Sequence, residues 1–144
     1  MRGGGTDHSF TSREVIRVKE LGRHLIAELY GCDTSVLGDL EALRTTLLEA
    51  AEASGAKVLG EFFKKFPRGG GVTGILAIAE SHISIHTWPE YGYAAVDLFT
   101  CGDRVDPWRA YEVIYRKMKP SRAHVKELKR GLIEVEEVWQ RVEE

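Results

Sequence analysis

The sequence has few cysteines and no long apolar run. Cys32 and Cys101 are the only two cysteines, too few for a disulfide scaffold, and a reducing compartment keeps both as thiols. Nowhere do about eighteen or more apolar residues follow one another, and the first residues are glycine-rich and polar rather than an apolar signal core. We therefore expect a cytoplasmic protein without a membrane partner.

A strong charge of either sign is also lacking. The formal net charge is -2, and the 20 lysines and arginines are mixed with 22 acidic residues rather than clustered. Such a surface has no field that attracts nucleic acid, so no nucleic-acid partner is predicted. The chain has 144 residues and is 43% hydrophobic, which suits one globular domain with a core.

Apolar periodicity predicts an α+β two-layer sandwich. Strands are predicted over residues 21–30, 57–66, 72–88, 93–101 and 122–128, and helices from about 35 or 39 to 54 and from 106 to about 119. Hairpins between neighbouring strands imply a largely antiparallel sheet with the helices on one face. Residues 1–20 are predicted to be a flexible leader and 21–131 the domain. The acidic tail of 132–144 has spacing that favours a short amphipathic helix.

The sheet face away from the helices is predicted to be apolar as well. In the central hairpin, Ile75 and Ala77 alternate with Leu76 and Ile78, so both faces carry apolar side chains. An apolar face open to water invites a second copy. We therefore predict a homodimer that forms through or beside this open face.

Residues 79–90 are the densest in chemistry, but no common motif fits them. His82 and His86 share a face without a third ligand at metal-ligand spacing, so no metal is predicted. Ser81 lacks the Gly-x-Ser-x-Gly elbow of a hydrolase. Residues 69–71 are three glycines without a following Gly-Lys-Ser/Thr, which favours a flexible connection over a phosphate loop.

Counting along the predicted hairpin brings Cys101 to this stretch. If the turn is centred between Glu90 and Tyr91, partners sum to about 181, so Cys101 faces residue 80 at roughly 5 Å. The thiol then neighbours the Glu80-Ser81 bond, although a small core residue remains an alternative. Cys32 has no such neighbour and is predicted to be structural.

Residues 80–102, with 21–30, 71–74 and 106–108, resemble the signature of the short prokaryotic S-adenosylmethionine decarboxylase proenzymes. The similarity covers about residues 21–131. It implies a self-processing decarboxylase with a covalent pyruvate cofactor. The product, decarboxylated S-adenosylmethionine, is the aminopropyl donor for spermidine and other polyamines.

The resemblance also implies residue roles. Ser81 attacks the carbonyl of Glu80, His86 removes the Ser81 α-proton, and the Thr73 hydroxyl assists. The products are a β chain of residues 1–80 and an α chain of 81–144 that begins with the pyruvoyl group. Cys101 is the implied proton donor in decarboxylation.

Three further residues are implied to bind the substrate. Phe66 is implied to stack on adenine, and the Glu90 carboxylate to accept hydrogen bonds from the ribose hydroxyls. Trp88 is implied to belong to the same site. Core packing for Phe66 and a solvated turn for Glu90 remain alternatives.

Ser81 and His86 are about 17 Å apart on a straight strand and point to opposite faces. Either the strand bulges, or His86 reaches Ser81 from a second copy. We favour two shared sites per dimer, each with Ser81 and Cys101 from one protomer and Phe66, Thr73, His86 and Glu90 from the other.

Two other functions stay open. Some relatives of this family accept arginine and make agmatine with the same machinery, and both substrates are cationic α-amino acids. The other alternative is a non-catalytic dimeric binding module, against which the presence of Ser81, His86 and Cys101 argues.

Overall fold

The computed structural model describes the backbone of residues 10–79 and 81–143 and the side chains of 18–79 and 81–134. Two compact units are present. Residues 22–130 form one, and the described parts of 1–21 and 131–144 form the other. No helix in the described part of the chain is long and apolar enough to span a bilayer.

The strands form one six-stranded sheet. The elements are β1 (Phe10–Tyr30), α1 (Thr34–Leu37), α2 (Leu40–Ser54), β2 (Val58–Lys65), β3 (Val72–Ile78), β4 (Ser81–Trp88), β5 (Tyr93–Cys101), α3 (Pro107–Met118) and β6 (Arg122–Glu143), with a 3-10 turn at Pro89–Tyr91. The strand order is β2-β3-β4-β5-β1-β6, and the ladders from β2 to β1 are all antiparallel. The predicted α+β sandwich with a largely antiparallel sheet is confirmed.

The core lies between one sheet face and the helices. Alternate residues of the central strands are buried there and join apolar residues of the helices. The largest members of this cluster include Leu25, Leu43, Leu47, Ile83, Leu98 and Ile114. We call the sheet face that packs against the helices the inner face, and the opposite sheet face the outer face.

The predicted helix boundaries are confirmed by their caps. The Asp39 carboxylate accepts a hydrogen bond from the Ala42 amide at 3.1 Å, and Gly55 ends α2 with a φ of 86°. Asp106 caps α3 in the same way, with Pro107 at the first helical position. These side chains satisfy amides that have no partner within the helix.

The strand predicted over residues 72–88 is two separate strands in the structure. The segment 72–88 contains two strands, β3 and β4, with a turn at Ala79 between them, and Ile78 pairs with Ser81. Both faces of this segment are apolar and the turn contains no glycine, proline or asparagine, so periodicity gave no sign of the break. Ser81 is therefore the first residue of β4, directly after the chain reverses direction, and Glu80 lies outside the described residues.

The predictions for both ends of the chain were wrong in part. β1 begins at Phe10, so 10–20 are strand rather than flexible leader, and β6 runs to Glu143, so the acidic tail is strand rather than helix. Isolated charged segments show little periodicity, but their valines and isoleucines suit strands. Residues 1–9 of the predicted leader lie outside the described residues.

Candidate active site

The register of the β4–β5 hairpin is the one predicted. Pairs run from His82 with Phe99 to Trp88 with Tyr93, each summing to 181. On its other side β5 pairs with β1, where Cys101 faces Gly22. Cys101 ends β5 and Ser81 begins the antiparallel strand β4, so the thiol and Ser81 lie at the same end of the sheet.

No bulge separates Ser81 from His86. The β3–β4 ladder runs without a shift from Thr73 paired with His86 to Ile78 paired with Ser81. A regular strand keeps the two residues about 17 Å apart with their side chains on opposite faces. The alternative of a bulged strand is therefore wrong.

Ser81 and Cys101 are neighbours along the sheet but belong to different faces. Ser81 shares its parity with buried Ile83 and Ile85, and its Oγ is buried with no hydrogen-bond partner among the described residues. Cys101 shares its parity with the partly buried outer-face residues of β5.

Thr73 and His86 form a pair on the outer face. They are directly opposed across β3 and β4, and Thr73 Oγ1 lies 3.0 Å from His86 Nδ1. The imidazole also lies against the Trp88 indole, with ring centroids 6.4 Å apart. The hydroxyl and the indole together fix the orientation of the His86 ring.

A pocket of about 230 Å³ opens beside this pair. The residues that line it are Phe66, Arg68, Gly71, Val72, Thr73, His86, Thr87, Trp88 and Glu90. All three residues implied to bind substrate line this one pocket, together with Thr73 and His86. Ser81 and Cys101 do not. Phe66 is 45% exposed, so the core-packing alternative for it is wrong.

The glycine loop forms a turn that is closed by a backbone hydrogen bond. The Phe66 amide donates to the Gly71 carbonyl at 2.8 Å, and Gly69 and Gly70 have φ of 74° and 69°. A Cβ on Gly69 would lie 2.7 Å from Glu90 Oε2, and one on Gly71 would lie 2.5 Å from the Thr87 carbonyl oxygen. Glycine therefore lets the loop pack against the strand end and beneath the Glu90 carboxylate.

Thr87 is a site residue that sequence reasoning missed. Its buried hydroxyl donates to the Leu37 carbonyl at 2.7 Å and accepts from the Val72 amide at 2.8 Å. It thereby ties α1 and the start of β3 to the end of β4. The available signal was a hydroxyl at an inward position, two residues after buried Ile85.

The outer face carries further polar and aromatic pairs. His24 Nε2 lies 2.9 Å from Asp97 Oδ1, and Tyr93 stacks between Trp88 and Tyr30. The Tyr93 hydroxyl donates to Glu28. Burial first, and then this contact, raise the pKa of Tyr93. Within the described residues no group of three or more His, Cys, Asp or Glu is arranged to hold a metal ion.

The two cysteines differ in environment. Cys32 is 6% exposed, and burial raises the pKa of its thiol to about 11. A thiol in such a setting is unreactive at neutral pH. Cys101 is less buried and ends the strand beside Ser81.

Known proteins resemble this chain over most of its length. The family described as S-adenosylmethionine decarboxylase matches residues 23–131. The S-adenosylmethionine decarboxylase proenzymes of Thermosipho melanesiensis and Caldicellulosiruptor saccharolyticus are 51% and 54% identical over 115 residues, covering 79% of this chain and 87% and 91% of theirs.

A solved structure agrees. The adenosylmethionine decarboxylase of Aquifex aeolicus superposes with a TM-score of 0.77 at 37% identity, covering 82% of this chain and 97% of that one. The described fold, the pocket and the sequence identity lead to one conclusion: this chain belongs to the S-adenosylmethionine decarboxylase family.

Proposed function

We propose that this protein is a self-processing, pyruvoyl-dependent decarboxylase of S-adenosylmethionine that supplies the aminopropyl donor for polyamine synthesis. The observation that carries the proposal is the Thr73–His86 pair within a pocket that Phe66 and Glu90 also line. The relatives reported above, named as proenzymes of this activity, support it further.

Processing begins at the Glu80-Ser81 bond. Ser81 Oγ bonds to the Glu80 carbonyl carbon as the C–N bond breaks, and the hydroxyl proton passes to the nitrogen. His86, oriented by Thr73, then removes the Ser81 α-proton, and the Cβ–Oγ bond breaks with Oγ leaving on the Glu80 carboxylate. Water replaces the nitrogen at Cα, ammonia departs, and the α chain begins with a pyruvoyl group.

The residues around Ser81 fit this group. The Ser81 hydroxyl is buried without a partner among the described residues, so its loss breaks no hydrogen bond to them. A pyruvoyl group at this position would supply an electrophilic ketone that can accept the substrate amine and the electrons released with carbon dioxide. Cys101 then delivers a proton to the substrate α-carbon. A thiol in this role requires a reducing compartment, which supports a cytoplasmic location.

The site is proposed to be shared between two protomers. His86 cannot reach Ser81 along a regular strand, so the His86 that serves each Ser81 comes from a second copy. The second copy is proposed to pack against the outer face, where Phe62, Ile75 and Trp88 are 59%, 39% and 39% exposed. Burying such side chains stabilises a homodimer.

Carbon dioxide release tests the function directly. Cleaved protein is given carboxyl-labelled S-adenosylmethionine or carboxyl-labelled arginine, with Cys101→Ala protein as a control. We expect release from the nucleoside substrate and little from arginine. Release from arginine alone would instead identify an arginine decarboxylase, and release from neither would support a non-catalytic binding module.

A mixed dimer tests whether sites are shared. A Ser81→Ala chain and a His86→Ala chain, with different affinity tags, are coexpressed and the mixed dimer is isolated. The first chain supplies an intact His86 and the second an intact Ser81, so we expect the His86→Ala chain to be cleaved there but not when expressed alone. A mixed dimer with no cleaved His86→Ala chain rules out the shared site.

A further inference from the structure

Two inner-face residues at the same end of β4 and β5 carry buried hydroxyls that form no hydrogen bond to the described residues. Ser81 Oγ and Thr100 Oγ1 are both buried, and neither has a partner among the described residues. Thr100 is 1% exposed, so water does not solvate it. Buried polar groups are normally paired, and an exception points to a function or to a state not yet formed.

The register makes these two hydroxyls cross-strand neighbours. His82 pairs with Phe99, and one further step along the ladder puts Ser81 opposite Thr100. Both side chains belong to the inner face, and directly opposed Cβ atoms lie about 4.5–5.5 Å apart. Rotation about χ1 brings two such hydroxyls within hydrogen-bonding distance, because each oxygen has three staggered positions.

The residue that pairs with Thr100 on β1 already has a hydrogen-bond partner of its own. Thr100 pairs with Arg23 of β1, and the Arg23 guanidinium binds Glu127 Oε1 at 2.8 Å. On the other flank of Thr100, strand β4 carries the Ser81 hydroxyl, which is buried without a partner among the described residues.

We propose that Thr100 is a positioning residue for self-cleavage: its hydroxyl accepts a hydrogen bond from the Ser81 hydroxyl and holds Oγ for attack on the Glu80 carbonyl. This inference rests on the proposed processing at Ser81. Holding a nucleophile in one rotamer lowers the entropy cost of reaching the geometry from which it attacks. Apart from this hydrogen bond, Thr100 forms no covalent bond to the reacting atoms and gives up no proton.

The test is the rate of cleavage of newly made chains. Full-length wild type, Thr100→Val, Thr100→Ser, Thr46→Val and Ser81→Ala are pulse-labelled in cell-free translation and followed on gels. We expect Thr100→Val to be cleaved about three- to tenfold more slowly, because it lacks one hydrogen bond of ordinary net strength. Thr100→Ser keeps the hydroxyl and should be cleaved at close to the wild-type rate. Thr46→Val is the matched control, because it removes another buried threonine hydroxyl, in α2, and keeps the wild-type rate.

Thermal unfolding separates positioning from structure. In the uncleavable Ser81→Ala background, Thr100→Val removes a hydroxyl that has no partner, so the melting temperature should stay or rise. The role of Thr100 is overturned if Thr100→Val is cleaved at the wild-type rate or faster, or if slower cleavage comes with a lower melting temperature. Either result leaves the proposed processing at Ser81 intact. A wild-type chain that stays uncut refutes the processing itself.

Discussion

Replacing Thr73 by valine separates the orientation of His86 from its chemistry. Valine keeps the β-branched shape that suits β3 but removes the hydroxyl that lies 3.0 Å from His86 Nδ1. A neutral hydrogen bond of this kind contributes about 1 kcal/mol net, so cleavage should slow about fivefold. Replacing His86 itself by alanine removes the proposed base, and cleavage should then slow about a hundredfold or more.

The assay is the conversion of pulse-labelled full-length chain into its two fragments, with Thr73→Ser as the control that keeps the hydroxyl. Thr73→Ser should be cleaved close to the wild-type rate. If Thr73→Val is cleaved as fast as wild type while His86→Ala is not cleaved, the hydroxyl does not orient the imidazole. If Thr73→Val is as inactive as His86→Ala, Thr73 does more than orient it.

Three further predictions each concern a single residue and its surroundings. Gly69→Ala places a Cβ 2.7 Å from Glu90 Oε2 at a φ of 74°, so steady-state kinetics should show a KM raised about tenfold with kcat little changed; an unchanged KM removes Glu90 from the substrate site. Because burial raises the pKa of Cys32 to about 11, iodoacetamide at pH 8 should label Cys101 first, and mass spectrometry that finds Cys32 labelled first contradicts this. The raised pKa of Tyr93 favours its neutral form in the fold, so the stability it contributes is complete below pH 10 and is lost as the pH rises further. In denaturant titrations Tyr93→Phe should therefore lose less stability above pH 10 than wild type, and an equal loss refutes the assignment.

Local chemistry explains which parts of the fold were predictable. Asp39, Gly55, Asp106 and Pro107 act within one helical turn, so the helix boundaries followed from the sequence. The turn before Ser81 did not, because it lacks turn residues and lies between two apolar segments. The long outer parts of β1 and β6 were missed since neighbouring strands, rather than local periodicity, determine such charged segments.

The candidate site shows the same division. The hairpin register needed only a turn centre, and it brought Cys101 to the end of β4 that holds Ser81. The Thr73–His86 pair required knowing that β3 folds back on β4, which the sequence interpretation had joined into one strand. Thr87 and Thr100 are hydroxyls at inward positions, and only their partners, or the lack of them, distinguish them from ordinary strand threonines.

Intact-mass spectrometry of the purified full-length protein tests the self-cleavage most directly. Wild type should give two fragments, one ending at Glu80 and one beginning at residue 81 with an amino terminus blocked by the pyruvoyl group, while Ser81→Ala should stay whole. A wild-type chain that remains a single 16.1 kDa species after long incubation contradicts the proposed processing and the decarboxylase that depends on it.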